Sequence, residues 1–137
     1  LAFLGCILCA FGCGKKDSGF GPVQYGFYNA KEVISSSGER ADYNTSYMSK
    51  GHYLVYSKDR CEFMLTPGEC KANGDSLEIS FSNANVRLLF YTLGIFETED
   101  SSNKVVLRRI GRNELSFRYA KDKKTIILEK YTLAVSD

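Results

Sequence analysis

The chain contains no tryptophan, one histidine, two prolines and two methionines in 137 residues. It lacks a large excess of either charge, at +2 net. Each scarcity excludes something. A single histidine leaves too few ligands for a zinc tetrad and one candidate base for a catalytic triad. Two prolines exclude a proline-rich rod. A near-neutral balance sets up no field that would demand nucleic acid as a partner. At 44% hydrophobic and 25% charged residues the composition is that of a globular chain, one able to bury enough apolar surface to offset its ordering entropy. The length suits a single domain. No G-x-S-x-G, H-E-x-x-H or phosphate-cradling glycine loop occurs, so no catalytic residue, metal site or cofactor is expected.

The first charged residue is Lys15, after the run LAFLGCILCAFGCG. That run is too short to span a bilayer core as a helix, which takes about 20 residues. It suits the apolar core of a signal peptide. The basic leader that normally precedes such a core is missing, as expected of a signal peptide shortened at its N-terminus. The polar stretch that follows reads as a tether. Expected boundaries are therefore 1–12 for the signal peptide, 13–22 for the tether and 23–137 for the folded domain.

Ala10-Phe11-Gly12-Cys13, followed by GKKDSG, resembles the lipobox of bacterial lipoproteins. The resemblance implies that Cys13 becomes the acylated N-terminus and that the protein is held at the cell envelope. Gly14 beside it favours the outer membrane, on its periplasmic face. One acyl chain binds a bilayer only reversibly, whereas two or three hold firmly. Lys15 and Lys16 would add attraction to anionic head groups. If Cys6 and Cys9 leave with the leader and Cys13 is acylated, Cys61 and Cys70 remain as a pair in an exported chain, and a disulfide is the default. A hairpin centred on Pro67-Gly68, a favourable type II turn pair, would place Cys61 and Cys70 out of register. The bridge then needs either a bulge or an irregular loop.

Beyond Val23 the apolar pattern alternates. In 76–82, Leu77, Ile79 and Phe81 share one face, and in 114–119 Leu115, Phe117 and Tyr119 do the same; this is the period of half-buried strands. Strands are also expected over 23–28, 52–57, 60–65, 86–93, 104–110 and 125–135, about eight in all. Asn73-Gly74-Asp75, Gly111-Arg112-Asn113 and 121–124 are turn chemistry between them. Residues 30–34 suit a helical turn or more strand, and 35–45 and 97–103 read as loops. The expected class is all-β, a small antiparallel barrel, with a β-sandwich as the alternative. Gly26-Phe27-Tyr28 and the ending NELSFRY…KTIILEKY resemble the first strand and last hairpin of lipocalin-like barrels.

Three features bear on function. Tyr53, Tyr56, Phe90, Tyr91 and Phe96 are candidates to line a ligand pocket, or else they fill the core. Residues 108–130 carry 8 basic and 3 acidic side chains. Arg108, Arg109, Arg112, Arg118, Lys121, Lys123 and Lys124 could form one outer face, either solubilising or turned to an anionic surface. His52, at the entrance to the YLVY strand, reads as an edge or surface residue. The expectation is a lipid-anchored, non-catalytic binding module for an apolar small ligand or a periplasmic protein. The alternative is an exported inhibitor, similar to the small β-barrel lysozyme inhibitors, presenting the 61–70 loop. Membrane lipid, through Cys13, is the one expected partner of defined chemistry.

Overall fold

The computed structural model describes residues 19–43 and 51–131. The signal peptide, Cys13 and most of the tether lie outside them. Ten strands and one helix follow in order. They are β1 (Gly26–Ile34), β2 (Arg40–Asp42), β3 (Tyr53–Tyr56), β4 (Cys61–Phe63) and β5 (Thr66–Pro67). Then come β6 (Glu69–Asn73), β7 (Ser76–Ser80), α1 (Ala84–Thr92), β8 (Val105–Gly111), β9 (Glu114–Arg118) and β10 (Thr125–Lys130).

Every ladder is antiparallel, and the sheet runs β5-β4-β3-β1-β10-β9-β8-β7-β6, with β2 on the free stretch of β1. The two outermost strands, β5 and β6, are one stretch of chain bent at Gly68. Its first part pairs with β4 and its second with β7. The sheet therefore curls into a nearly closed barrel in which most spatial neighbours are also neighbours in sequence, and β1 joins the two ends of the chain by pairing with both β3 and β10. The sandwich alternative is set aside. At the corner a Cβ on residue 68 would sit 2.7 Å from Ile79 Cγ2 and 2.8 Å from Phe81 Cε1, so only glycine fits there. The Cys61–Cys70 disulfide, with Cα atoms 5.9 Å apart, staples β4 to β6 across the same seam. Gly68 N–H donates to the Cys61 carbonyl beside it, at 3.0 Å.

The tight turn of this region lies earlier than expected. Phe63 pairs with Thr66, so the loop is Met64-Leu65 and not Pro67-Gly68. That shift is what brings the two cysteines together, since Pro67-Gly68 forms the corner between ladders instead.

Periodicity correctly assigns the inner face. Leu77, Ile79, Phe81, Leu115, Phe117 and Tyr119 are all buried in a single core, which Leu107, Ile126 and Leu128 complete. Residues 30–34 extend β1, paired along β10 through an irregularity between Ile127 and Leu128. One strand expectation is wrong. Residues 86–92 belong to α1 and Leu93 is its C-cap; the Asn83 side chain caps the first turn, accepting from the Asn85 and Val86 N–H groups. Gly94, at φ +88°, ends the helix in a Schellman arrangement. Its N–H donates to Tyr91 O, and Ile95 N–H donates to Phe90 O. The helix closes one end of the barrel by dropping Phe90 against Phe63, Phe81 and Phe96.

The opposite end, at the β8–β9 turn, is closed by Arg109. This residue is turned inward, not onto an outer basic face. Its guanidinium donates to the carbonyls of Phe20, Pro22, Gly111 and Arg112, which satisfies a buried cation and clamps the incoming N-terminal segment. Among the described residues no helix is long and apolar enough to cross a membrane.

Candidate functional site

The five aromatic residues expected at a pocket do not converge. Phe90 and Phe96 stack edge to face at 5.4 Å inside the core. Tyr56 faces the barrel end and meets Tyr25 at 4.9 Å. Tyr91 lies on the helix beneath the Lys121 ammonium, 3.9 Å from its ring. Tyr53 is on the outer face, where its hydroxyl donates to Glu62 and its ring meets Phe27. The core-filling reading holds for Phe90 and Phe96.

His52 is not a surface residue. It is 3% exposed and held between two tyrosine hydroxyls. Tyr43 OH lies 2.9 Å from Nδ1 and Tyr119 OH 2.6 Å from Nε2. A neutral imidazole donates through one nitrogen and accepts through the other, so it satisfies both hydroxyls and needs no charge. Burial, aided by the nearby Lys124 ammonium, pushes its pKa down to about 4. Burial likewise raises both tyrosine hydroxyls. The three residues act as a polar lock between the end of β9 and the segment entering β3.

A pH dependence follows. The unfolded histidine titrates near 6.5 and the folded one near 4. Below pH 6.5 the unfolded chain binds a proton that the folded chain refuses. Stability from this group is complete above that pH and falls steadily toward pH 4, by about 3 kcal/mol in total. Urea titrations at pH 7 and pH 4 should show this loss, and His52→Gln should flatten it. An unchanged slope in the variant would exclude His52 as the cause.

The basic stretch is partly committed. Arg108 pairs with buried Asp75 at 3.4 Å and Lys104 with Glu78 at 3.5 Å. Lys124 lies 4.2 Å over the Tyr119 ring. Lys104, Arg108, Ser116 and Arg118 nonetheless line an outer groove of about 390 Å³. Among the described residues no group of three His, Cys, Asp or Glu side chains is placed to hold a metal ion.

Two apolar features were not foreseen. Leu88, Leu89 and Leu93 are exposed at the helix end. Leu65 is 78% exposed at the tip of the β4–β5 hairpin. Met64 and Leu65 both adopt left-handed backbone, at φ 53° and 67°. A two-residue hairpin demands this conformation, and normally asparagine and glycine supply it. Two bulky residues there are held under strain, which persists only where the surroundings impose it. Here those surroundings are the disulfide and the short ladders. The sequence signal was weak, since Met-Leu is not turn chemistry.

No family model matches the chain, and no curated protein matches it. A solved structure of an uncharacterized protein from Bacteroides eggerthii DSM 20697 is similar at 9% identity and a TM-score of 0.43, covering 78% of this chain and 98% of that one.

Proposed function

We propose that the protein is a non-catalytic binding module of the cell envelope, anchored through acylated Cys13 at the periplasmic face of the outer membrane, and that it engages a periplasmic protein. The observation that carries this is Leu65, a large apolar side chain presented to solvent on a strained, disulfide-stapled hairpin. Fixed in place, such a side chain loses little entropy on docking into an apolar pocket. A surface partner is favoured over an apolar ligand in the barrel because aromatic side chains occupy the interior around Phe90. The Arg109 clamp brings the N-terminal segment to the end opposite α1, so a tether would leave the rest of the barrel facing away from its attachment.

The inhibitor reading gains from the same hairpin, which is short, covalently closed and tipped by one protruding residue. It would be one particular kind of partner, an enzyme whose cleft receives Leu65.

The test is a photo-crosslinking residue at position 65, with exposed Lys123 as the control position, in cells expressing the whole chain. A discrete adduct from 65 alone, and loss of membrane association in Cys13→Ser, are the expected results. Adducts of equal yield from both positions, no adduct from either, or a Cys13→Ser protein that still pellets with membranes would overturn the reading. Inhibition of lysozyme or another hydrolase, abolished by Leu65→Ser, would identify the partner as an enzyme.

A further inference from the structure

We infer that the outer face of β10, β1 and β3 carries a saccharide-binding groove. Antiparallel register lines up Glu129, Asn29 and Tyr53 in one row across the three strands. Phe27, two residues from Asn29 and so on the same face, begins a second row. Tyr131 N–H donates to the Phe27 carbonyl at 2.7 Å, and the Tyr131 ring meets Phe27 edge to face at 6.3 Å. Phe27 also meets Tyr53 at 5.8 Å. A polar row therefore runs beside an aromatic one. A groove of about 350 Å³ opens along them, lined by Asn29, Lys31, Asn113, Glu129 and Tyr131 among others, a size within the range of small-ligand sites.

Three observations fix the ligand's chemistry. The aromatic edge is open: Tyr131 is 58% exposed and Phe27 is exposed too. Exposed rings beside a polar groove suit a ligand with one apolar face. The side-chain amides of Asn29 and Asn113 make no hydrogen bond among the described residues, and each offers an acceptor and two donors. The charges cancel locally, because Lys31, paired with both Glu114 and Glu129, is joined by Lys130 in the groove lining, two cations against two carboxylates. A groove without net charge gives an ionic ligand nothing to seek. A pyranose ring fits all three conditions. It is neutral, it has a C–H face for the tyrosine ring, and its hydroxyls each donate and accept, as an amide does. Glu129, solvent-facing and held beside Lys31, would accept from a hydroxyl at the groove's centre.

The groove lining includes neither Leu65 nor any other residue of its hairpin, and the site stands or falls apart from it. The test is native gel electrophoresis of the whole detergent-solubilised protein through gels cast with neutral polysaccharides (β-glucan, starch, mannan and galactan). Heparin and polygalacturonate serve as polyanion controls. The expected result is retardation by at least one neutral polysaccharide. Binding should weaken roughly tenfold or more, each tenfold being about 1.4 kcal/mol, in Tyr131→Ala and in Asn29→Ala, and stay unchanged in Leu65→Ser. Both substitutions are at the surface, and melting curves confirm the fold. Should one variant unfold, the other carries the comparison. Retardation by none of the four, by the polyanions alone, or unaltered in the folded variants would overturn the inference.

Discussion

Phe90→Ala is expected to lower stability by about 3–5 kcal/mol, the range for deleting a fully buried phenylalanine. Phe90 is 1% exposed and is the one fully buried residue of α1. Its ring touches Phe63, Phe81 and Phe96 in edge-to-face or near-perpendicular arrangements, at 6.2, 5.1 and 5.4 Å. Val86 and Tyr91 add only partial burial, while Leu88, Leu89 and Leu93 point to solvent. Nine residues make a helix that is marginal without tertiary support. The truncation therefore removes the attachment of the helix as well as leaving a cavity. Hydrogen exchange should show the amides of 84–92 losing protection ahead of the strands, with the urea midpoint falling in parallel. Retained protection of the helix, with a stability loss below about 1 kcal/mol, would mean that α1 is held by something else.

Removing the disulfide, as Cys61→Ala with Cys70→Ala, is expected to cost about 2–5 kcal/mol. The seam explains why. The β4–β5 ladder has two residue pairs, whereas β6–β7 has five. Beyond the ladders, the bridge and the Gly68 N–H to Cys61 carbonyl bond are what close the barrel there. Without the bridge the strained Met64-Leu65 turn is free to relax, so exchange should rise first in 61–73 and crosslinking from position 65 should weaken. Wild-type protein under reductant should behave like the double variant. Equal midpoints with and without the bridge, and unchanged protection of the seam, would show that the ladders alone suffice.

How much of this was legible in advance differs from residue to residue. Leu77, Ile79, Leu115 and Phe117 could be placed inward because strand alternation is local and needs no partner. The pairing of Cys61 with Cys70 followed from there being two cysteines in the expected domain, although the geometry allowing it did not. The helix was legible and was missed. Asn83 and Gly94 stand at cap and stop positions, but the apolar run between them has no period that separates a strand from a buried helix. For the candidate sites the sequence offered less. The alternation of Phe27, Asn29 and Lys31 marks one outer face, but Glu129, Asn113 and Tyr131 reach it only through the register of β10 and the β8–β9 turn.

By itself, then, the order of residues determined an all-β chain with its inner faces, most of its turns and one plausible disulfide, because those depend on neighbours a few positions apart. Only the tertiary structure decided that Arg109 points inward to hold the N-terminal segment, that His52 sits neutral between Tyr43 and Tyr119, and that Leu65 is displayed. Each of those depends on which strand lies alongside which. That is settled by closing the barrel at Gly68, where distant segments must share one interior and each polar group caught inside must find its partner.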